Sequence, residues 1–469
     1  MHPCPYSGVL ADTVAVILAG GRGERLYPLT LERTKGAVPF AGTYRLIDFT
    51  LSNCLHSRVC RINVLPQYKY ASLEQHLRLG WNFLPPQLGT GVALLPPQQR
   101  VGNAWYGGTA DAVYQNLYSL HEQRPSHLLV LSSDHLYRMD YRLLVEEHVR
   151  QGAALTVACL EAPVAEARRF GVLEVDAGGR VFDFAEKPAA PRTLPCSPDR
   201  ALVSMGIYVF EINALIETLA QDAEKAQSTH DFGTDVIPGM IADGWPVYAY
   251  NAPLMERRPD FYWRDVGTLD SYWTASMEVL QPDSGFALDD PEWPVHTYQP
   301  VHTPMRATGA SRCELIDALL CHGASVAGAR VERSIVSPGV WIDHDAEVVE
   351  SVLMDGVHVG PGARVHRAVV DKNAHIPAGK YVGVDLESSA AGLYVTPGGI
   401  TVVPKGMDLS KPDTGERDGI HSNNGNRHVP ARLVRLYGER RSGVVPWRDF
   451  EVMARAAAST RLAQPKSPA

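Results

Sequence analysis

From Val14 onward the chain alternates short runs of β-branched and other apolar residues with amphipathic or polar stretches. That rhythm predicts an α/β domain built on a mainly parallel mixed sheet, Rossmann-like in plan. Strands are expected at Val14–Ala19, Arg61–Leu65, His127–Leu131, Leu155–Leu160, Gly171–Val175, Met205–Phe210 and Val247–Tyr250. Apolar residues at helical spacing predict helices over Thr109–Leu120, Asp140–Arg150 and Thr268–Leu280. Residues 12–281 are read as this one domain.

The pattern then breaks. Pro282, Pro291, Pro294, Pro300 and Pro304 interrupt any period, and residues 282–312 read as a linker. Beyond it lies a repeat: Val331, Val348 and Val365 are 17 apart, as are Val336, Leu353 and Val370, and Ile342, Val359 and Ile376. Ala329, Ala346 and Ala363 keep the same step. Within each unit the aliphatic positions advance by six, five and six residues, a near-hexapeptide rhythm that predicts a left-handed parallel β-helix over 313–405, of about three coils. A meandering β-sandwich would alternate within strands but has no reason to hold a 17-residue period. Residues 406–469 form a polar C-terminal extension, partly disordered, with a solvated link at Lys411–Asn426 and one more helix expected at Leu433–Ala458.

Composition narrows the function classes. The 45% hydrophobic and 20% charged residues are the balance of an ordinary globular protein. A net charge of -8 offers no basic field for nucleic acid. Seven dispersed cysteines without a C-x-x-C pair argue against a zinc site or disulfide framework and for a reducing, cytoplasmic location. No apolar run approaches the roughly 20 residues of a membrane span, and the first residues lack a signal-peptide series, so no membrane association is expected.

The chemistry begins directly after the first strand, at Ala19-Gly20-Gly21-Arg22-Gly23-Glu24-Arg25-Leu26. A glycine-rich turn there lets backbone amides approach phosphate oxygens, and the two arginines add cationic donors. It fits neither the dinucleotide fingerprint, whose third glycine position holds Leu26, nor a P-loop. Alone, it favours phosphate binding, and a tight turn with surface arginines is the lesser alternative. Further motifs follow in order: Lys35, Trp105-Tyr106-Gly107-Gly108-Thr109-Ala110-Asp111-Ala112, Ser133-Asp134-His135, Phe170-Gly171-Val172, Glu186-Lys187-Pro188, Ser204-Met205-Gly206-Ile207-Tyr208 and Tyr262-Trp263-Arg264-Asp265-Val266-Gly267-Thr268. The ordered set, from about Val14 to about Lys405, resembles the sugar nucleotidyltransferases, and among them the ADP-glucose pyrophosphorylase (glucose-1-phosphate adenylyltransferase) family of bacteria.

That resemblance implies transfer of the adenylyl group of ATP to glucose 1-phosphate, for glycogen or another α-glucan, with Mg2+ as cofactor. Such a reaction brings two anions together and must stabilise growing charge, which a divalent cation does. Magnesium takes oxygen ligands, usually one or two carboxylates. Asp134 follows an apolar run and is expected at the carboxyl end of a strand, where open α/β sheets bind ligands. A lone aspartate there is more often an N-cap or turn residue; the resemblance assigns the metal to Asp134 and Asp265. Arg25 is the candidate for the triphosphate and departing pyrophosphate, its guanidinium always charged. The resemblance places Gly20, Gly21, Gly23, Lys35, Gln67, Gly108 and Thr109 around the nucleotide. It assigns Lys187 to the sugar phosphate, Glu186 to sugar hydroxyls, and Tyr106, Gly171 and Ser204 to the same pocket. Read without it, Lys187 is an exposed lysine before a proline turn.

Several positions depart from the family pattern. Glu32 stands where many members carry a lysine that binds a glycolytic activator, and its charge would repel a phosphorylated effector. Arg33 and Arg45 are retained as candidates for an anionic, phosphorylated or nucleotide effector at a domain boundary. Gly36 replaces a usual proline and is expected to loosen the loop carrying Lys35. The loop from Gln98 and Gln99 to Trp105 is one residue shorter than in enterobacterial relatives. The resemblance also implies a homotetramer. Other readings stay open: a sister enzyme using UTP, dTTP or GTP, a non-catalytic regulatory subunit, and a β-helix with acyltransferase activity, for which no acyl-CoA site is legible.

Overall fold

The computed structural model describes residues 8–98, 105–258, 260–281, 285–286, 288–309, 312–383 and 393–410. The shortened loop at Gln99 and beyond, and the link and helix expected after Lys411, lie outside them.

Nine strands form the main sheet: β1 (Thr13–Ala19), β2 (Arg61–Pro66), β3 (Gly91–Leu94), β4 (His127–Ser132), β5 (Leu155–Pro163), β6 (Gly171–Val175), β7 (Val181–Glu186), β8 (Arg200–Glu211) and β9 (Val247–Asn251). Their order is β7-β6-β8-β4-β1-β2-β3, with β5 also on β8 and β9 on β5. Strands β1 to β4 run parallel, and β8 is antiparallel to β4, β5 and β6. Along β1, Val14 and Val16 enter one core cluster while Ala15, Ile17 and Ala19 enter the other. Burial on both faces is why this strand reads as an unbroken apolar run.

Strand β8 explains where the site lies. It pairs with β5 along its whole length, but its other edge pairs first with β6, through Leu202 and Val203, and then with β4, through Tyr208–Glu211. The register shift between Ser204 and Ile207, with Gly206 at φ +67°, sits where the partner changes. A cleft therefore opens between the carboxyl end of β4 and the start of β6, as expected of a switch in strand order.

Two expectations shift. The helix predicted over Thr109–Leu120 is two helices, Thr109–Tyr114 and Leu117–His121. Asn116 at the break donates its side-chain amide to the Ala112 carbonyl and to Tyr106 Oη, competing with the backbone ladder. Helix Leu46–His56 escapes prediction because every residue from Leu46 to Cys54 is buried, leaving no amphipathic stripe.

The proline-rich stretch read as a linker is held down along Leu46–His56. Thr297 Oγ1 donates to the buried Asp48 carboxylate at 2.6 Å, the His296 amide to Ser52 Oγ at 2.9 Å, and the Trp293 indole to Asn53 Oδ1 at 2.9 Å. Asp48 also accepts from the Trp81 indole and lies 2.6 Å from His76 Nε2.

The second region is a three-sided parallel β-helix of the left-handed hexapeptide-repeat type. Its three sheets carry five, five and six strands, so it exceeds the three coils expected. The first strand, Arg306–Thr308, lies inside the stretch read as linker and pairs with Ser325–Ala327. The cause is register. Val331, Val348, Val365 and Val382 align at steps of 17, but Arg306 pairs with Ser325 and Leu319 with Ile335, steps of 19 and 16. A period search sees only the regular middle.

One sheet of this β-helix packs on the α/β region, where Ile335, Val352, Val369 and Val402 join Phe40, Phe49 and Tyr272 in a shared core. Arg33 crosses this boundary to Asp371, with Nη2 at 2.9 and 3.0 Å from the two carboxylate oxygens. Their side chains are only 4% and 1% exposed, so each charge depends on the other. Arg33→Met or Asp371→Leu alone is expected to cost about 3–5 kcal/mol in urea unfolding, and the double substitution clearly less than the sum.

Candidate functional site

The two sequence-remote carboxylates meet because of a short antiparallel ladder. Strand His135–Tyr137 pairs with Trp263–Asp265, setting Asp265 opposite His135, next to Asp134 at the end of β4. The Val266 amide donates to the Asp134 carbonyl at 3.4 Å, tightening the junction. Both carboxylates face one cation, Lys35. Its ammonium contacts Asp134 Oδ2 and lies 3.2 Å from Asp265 Oδ1. His135 Nε2 is 3.9 Å from Asp134 and 4.0 Å from Asp265. Ser132 Oγ donates to Asp134.

Electrostatics follow from burial and pairing. Burial alone would raise the Asp134 pKa, but Lys35 and then His135 outweigh it, holding this carboxyl well below the ordinary range. Burial would lower the Lys35 pKa, yet Asp134 and Asp265 together raise it, so the lysine stays charged. Two hard oxygen donors converging on one cation are what Mg2+ needs from a protein that leaves further positions to phosphate and water. Among the described residues no group of three or more His, Cys, Asp or Glu forms a self-sufficient metal cage.

The glycine-rich turn leaves β1 toward this pair. Gly23 is left-handed at φ +63°, and the Thr30 hydroxyl donates to its carbonyl at 2.8 Å. Arg25 is exposed and makes no ion pair among the described residues. A Cβ on Gly267 would lie 2.9 Å from Asp265 Oδ2 and 3.4 Å from Arg25 Nη2, so this bare glycine lets guanidinium and carboxylate approach. Gly20 lies against Gln67 on the neighbouring strand end. Gln67 Nε2 donates to Tyr68 Oη at 2.7 Å and to the Tyr106 carbonyl at 3.4 Å, which joins these three residues into one wall.

Gly108 and Thr109 occupy that wall with less freedom than expected. A Cβ on Gly108 would fall 2.2 Å from the His230 carbonyl oxygen. The Thr109 hydroxyl donates to Asp231 at 2.9 Å and accepts from the Phe232 amide at 3.0 Å, so it is committed to the segment carrying His230 and Asp231. Across the cleft, Glu186 ends β7 and Gly171 begins β6. Cβ atoms on Gly171 and Gly233 would approach Glu186 Oε2 to 3.0 and 2.6 Å, and Gly171 would also strike the Phe184 ring at 2.3 Å. Lys187, at φ +44°, is mostly exposed and pairs with Glu186. Ser204, nearly buried at the β8 shift, accepts from the Gly206 amide at 3.1 Å.

The structure thus gathers Lys35, Asp134, Asp265 and Arg25 in one cluster and Glu186, Lys187 and Gly171 in another. The effector candidates lie elsewhere. Arg33 is sealed against Asp371 and offers no surface to a ligand. Arg45 lines a cleft with His76, His302, His322, Asp355 and Lys372, sharing no residue with the carboxylate pair. Glu32 is 2.6 Å from Lys405 of the β-helix. The looseness expected at Gly36 is absent. Lys35–Ala37 is a tight 3-10 turn, Gly36 is buried, and a Cβ there would sit 3.0 Å from Ser133 Cβ and Oγ. Gly36 brings the Lys35 turn closer to β4 than a residue with a Cβ could.

Sequence reasoning assigned no role to His135, Asp231 or the aromatic pair beside Gln67. Among the described residues His135 Nδ1 is buried without a hydrogen-bond partner, and its ring packs edge-on to Trp263. Tyr68 stacks on the exposed Trp105, with the Arg22 guanidinium 5.0 Å from the Tyr68 ring centre. The signal for His135 was its place next to Asp134 in the motif. Asp231 carried none.

Comparison with known proteins joins this geometry to a family. The model of the Nucleotidyl transferase family matches residues 14–282, and that of the GlmU-like C-terminal hexapeptide matches residues 302–403. A glucose-1-phosphate adenylyltransferase of Rhodopirellula baltica is 44% identical over 415 residues, covering 87% of this chain and 93% of that protein. Glucose-1-phosphate adenylyltransferase 2 of Vibrio cholerae is 44% identical over 406 residues, 86% of this chain and all of that one. The Methylococcus capsulatus enzyme of the same name is 42% identical over 400 residues.

The contact at Gly36 makes a stability prediction. Gly36→Ala overpacks Ser133 and is expected to cost about 1–3 kcal/mol, relieved in part by adding Ser133→Gly, which removes the Cβ and Oγ contacts but not the one to the Ser133 carbonyl. Gly21→Ala, whose Cβ meets nothing within 4 Å, should stay within about 0.5 kcal/mol of the parent. Chemical denaturation of the four proteins checks both.

Proposed function

We infer that this chain, which belongs to the glucose-1-phosphate adenylyltransferase family of nucleotidyl transferases, transfers the adenylyl group of ATP to α-D-glucose 1-phosphate, giving ADP-glucose and pyrophosphate for glycogen or other α-glucan synthesis. The observation that carries this reading is identity above 40% across nearly the full length of relatives bearing that one name.

The site residues receive roles from the chemistry. A phosphate oxygen of the sugar phosphate attacks the α-phosphorus of ATP in line, and pyrophosphate leaves. Amides of Gly20, Gly21 and Gly23 hold phosphate oxygens at the strand end. Arg25, exposed and without an ion pair among the described residues, meets the charge that builds on the departing pyrophosphate. Asp134 and Asp265 would hold Mg2+, which when bound offsets negative charge between the phosphate groups. Lys187 binds the phosphate of the sugar, and Glu186 orients sugar hydroxyls, with Gly171 and Ser204 shaping that end of the pocket. Tyr106 serves the nucleotide wall through its carbonyl, which accepts from Gln67, while its buried ring is held by Asn116 and Leu95 at the hydroxyl. Gln67, Gly108 and Thr109 form the wall toward the base; with its hydroxyl committed to Asp231, Thr109 acts there through its backbone and through the placement of Gly108.

The remaining features belong to the same proposal. The enzyme works in the cytoplasm as a homotetramer, and among the described residues no helix is long and apolar enough to cross a membrane. Effectors bind at the domain boundary, where Arg45 and Lys372 line a cleft. The Glu32–Lys405 pair already supplies an anion to a boundary cation, so fructose bisphosphate is not expected to activate.

Pyrophosphate release with glucose 1-phosphate and each of ATP, UTP, dTTP and GTP tests the activity. ATP should be preferred, and preference for another base overturns the named reaction. Asp134→Asn and Asp265→Asn are each expected to lower kcat/KM by about 10²-fold or more, with the fold retained by circular dichroism. Lys187→Gln should raise KM for glucose 1-phosphate about tenfold with a smaller effect on kcat, the signature of a lost ground-state contact.

A further inference from the structure

Two buried carboxylates side by side repel each other unless a cation lies between them. Here that cation is part of the chain. The Asp134 and Asp265 side chains are 16% and 18% exposed, and Lys35, at 14%, places its ammonium against both. His135 stands farther off, near 4 Å from each. The point on which the two carboxylates converge is therefore filled by Nζ.

The backbone fixes the other end of this lysine. The Lys35–Ala37 turn is pressed on Ser133 through Gly36, and the Ala37 carbonyl accepts from Arg45 Nη1 at 2.9 Å. The Lys35 stem passes the glycine-rich turn: its Cβ lies 3.5 Å from where a Cβ on Gly23 would be. A long side chain anchored there has the carboxylate pair on one side and the phosphate-binding turn on the other.

We propose that Lys35 is an exchangeable counter-cation: it neutralises Asp134 and Asp265 while no metal is bound, and a divalent ion displaces it, freeing its ammonium for the triphosphate. This rests on the reading that those two aspartates hold the metal. An ammonium and a divalent ion cannot share one point between two carboxylates, because like charges at a few Å in a shielded cleft repel strongly. Free metal is therefore a poor ligand for the nucleotide-free protein. Metal arriving with the triphosphate is a good one, because the phosphates receive the displaced lysine. Ion and nucleotide thus bind cooperatively through one side chain.

Titration of the nucleotide-free protein with Mn2+, followed by electron paramagnetic resonance, tests this. The parent should bind weakly. Lys35→Gln removes the competing charge and should tighten Mn2+ binding about tenfold or more, whereas Lys35→Arg keeps the charge and stays weak. Metal-free Lys35→Gln should also melt below the parent and regain most of the difference on adding Mn2+, a response the parent lacks. If Lys35→Gln does not fold without metal, purifying it in Mn2+ and then chelating should unfold it reversibly. Mn2+ affinity unchanged or weakened in Lys35→Gln, while Asp134→Asn and Asp265→Asn still abolish binding, overturns the exchange and leaves the metal site standing. Undiminished binding in both aspartate variants overturns the metal site itself, and the exchange with it.

Discussion

The α/β half of this protein depends on placing two carboxylates beside each other at the carboxyl end of the central strands. Like charges resist that, and the fold meets the resistance with a three-residue ladder and a lysine. The ladder between His135–Tyr137 and Trp263–Asp265 fixes the distance between residues more than 120 positions apart in sequence. Lys35 removes the repulsion that would otherwise push them apart. Gly36 and Gly267 belong to the same solution, since each omits a Cβ where turn, strand end and arginine must come together.

How much of this was legible in the sequence differs by element. Strands buried on both faces announced themselves as continuous apolar runs, and β6 was predicted to the residue. The antiparallel β8 was recognised only from Met205, although Ala201–Val203 in its first half is buried on both faces as well. The β-helix was legible from residue 313 onward, and its first strand, Arg306–Thr308, was missed because its pairing steps by 19 where the regular coils step by 17. Asp134 and Asp265 could be named from motifs, but their union under one lysine depends on strand pairing, which no local pattern encodes. Gly36 was misjudged because flexibility was read from residue type, whereas the structure uses the missing side chain as space.

The domain boundary combines opposite kinds of interaction. An apolar layer and the sealed Arg33–Asp371 pair make it permanent. The Glu32–Lys405 pair, at 28% and 35% side-chain exposure, lies in contact with solvent and is correspondingly weak. Adjacent residues of one segment thus sit in different surroundings: Arg33 is sealed against Asp371, while the Glu32–Lys405 pair is partly exposed.

The proline-rich strap has a consequence for the integrity of the molecule. Trp293, His296 and Thr297 are each fastened to the helix beneath them, and the β-helix is fastened independently through the apolar layer, Arg33 and the Trp273 indole bond to the Glu350 carbonyl. Covalent continuity between the two regions is mechanically redundant. A chain nicked within the strap would remain one particle, its halves held as two fragments of a complementing pair.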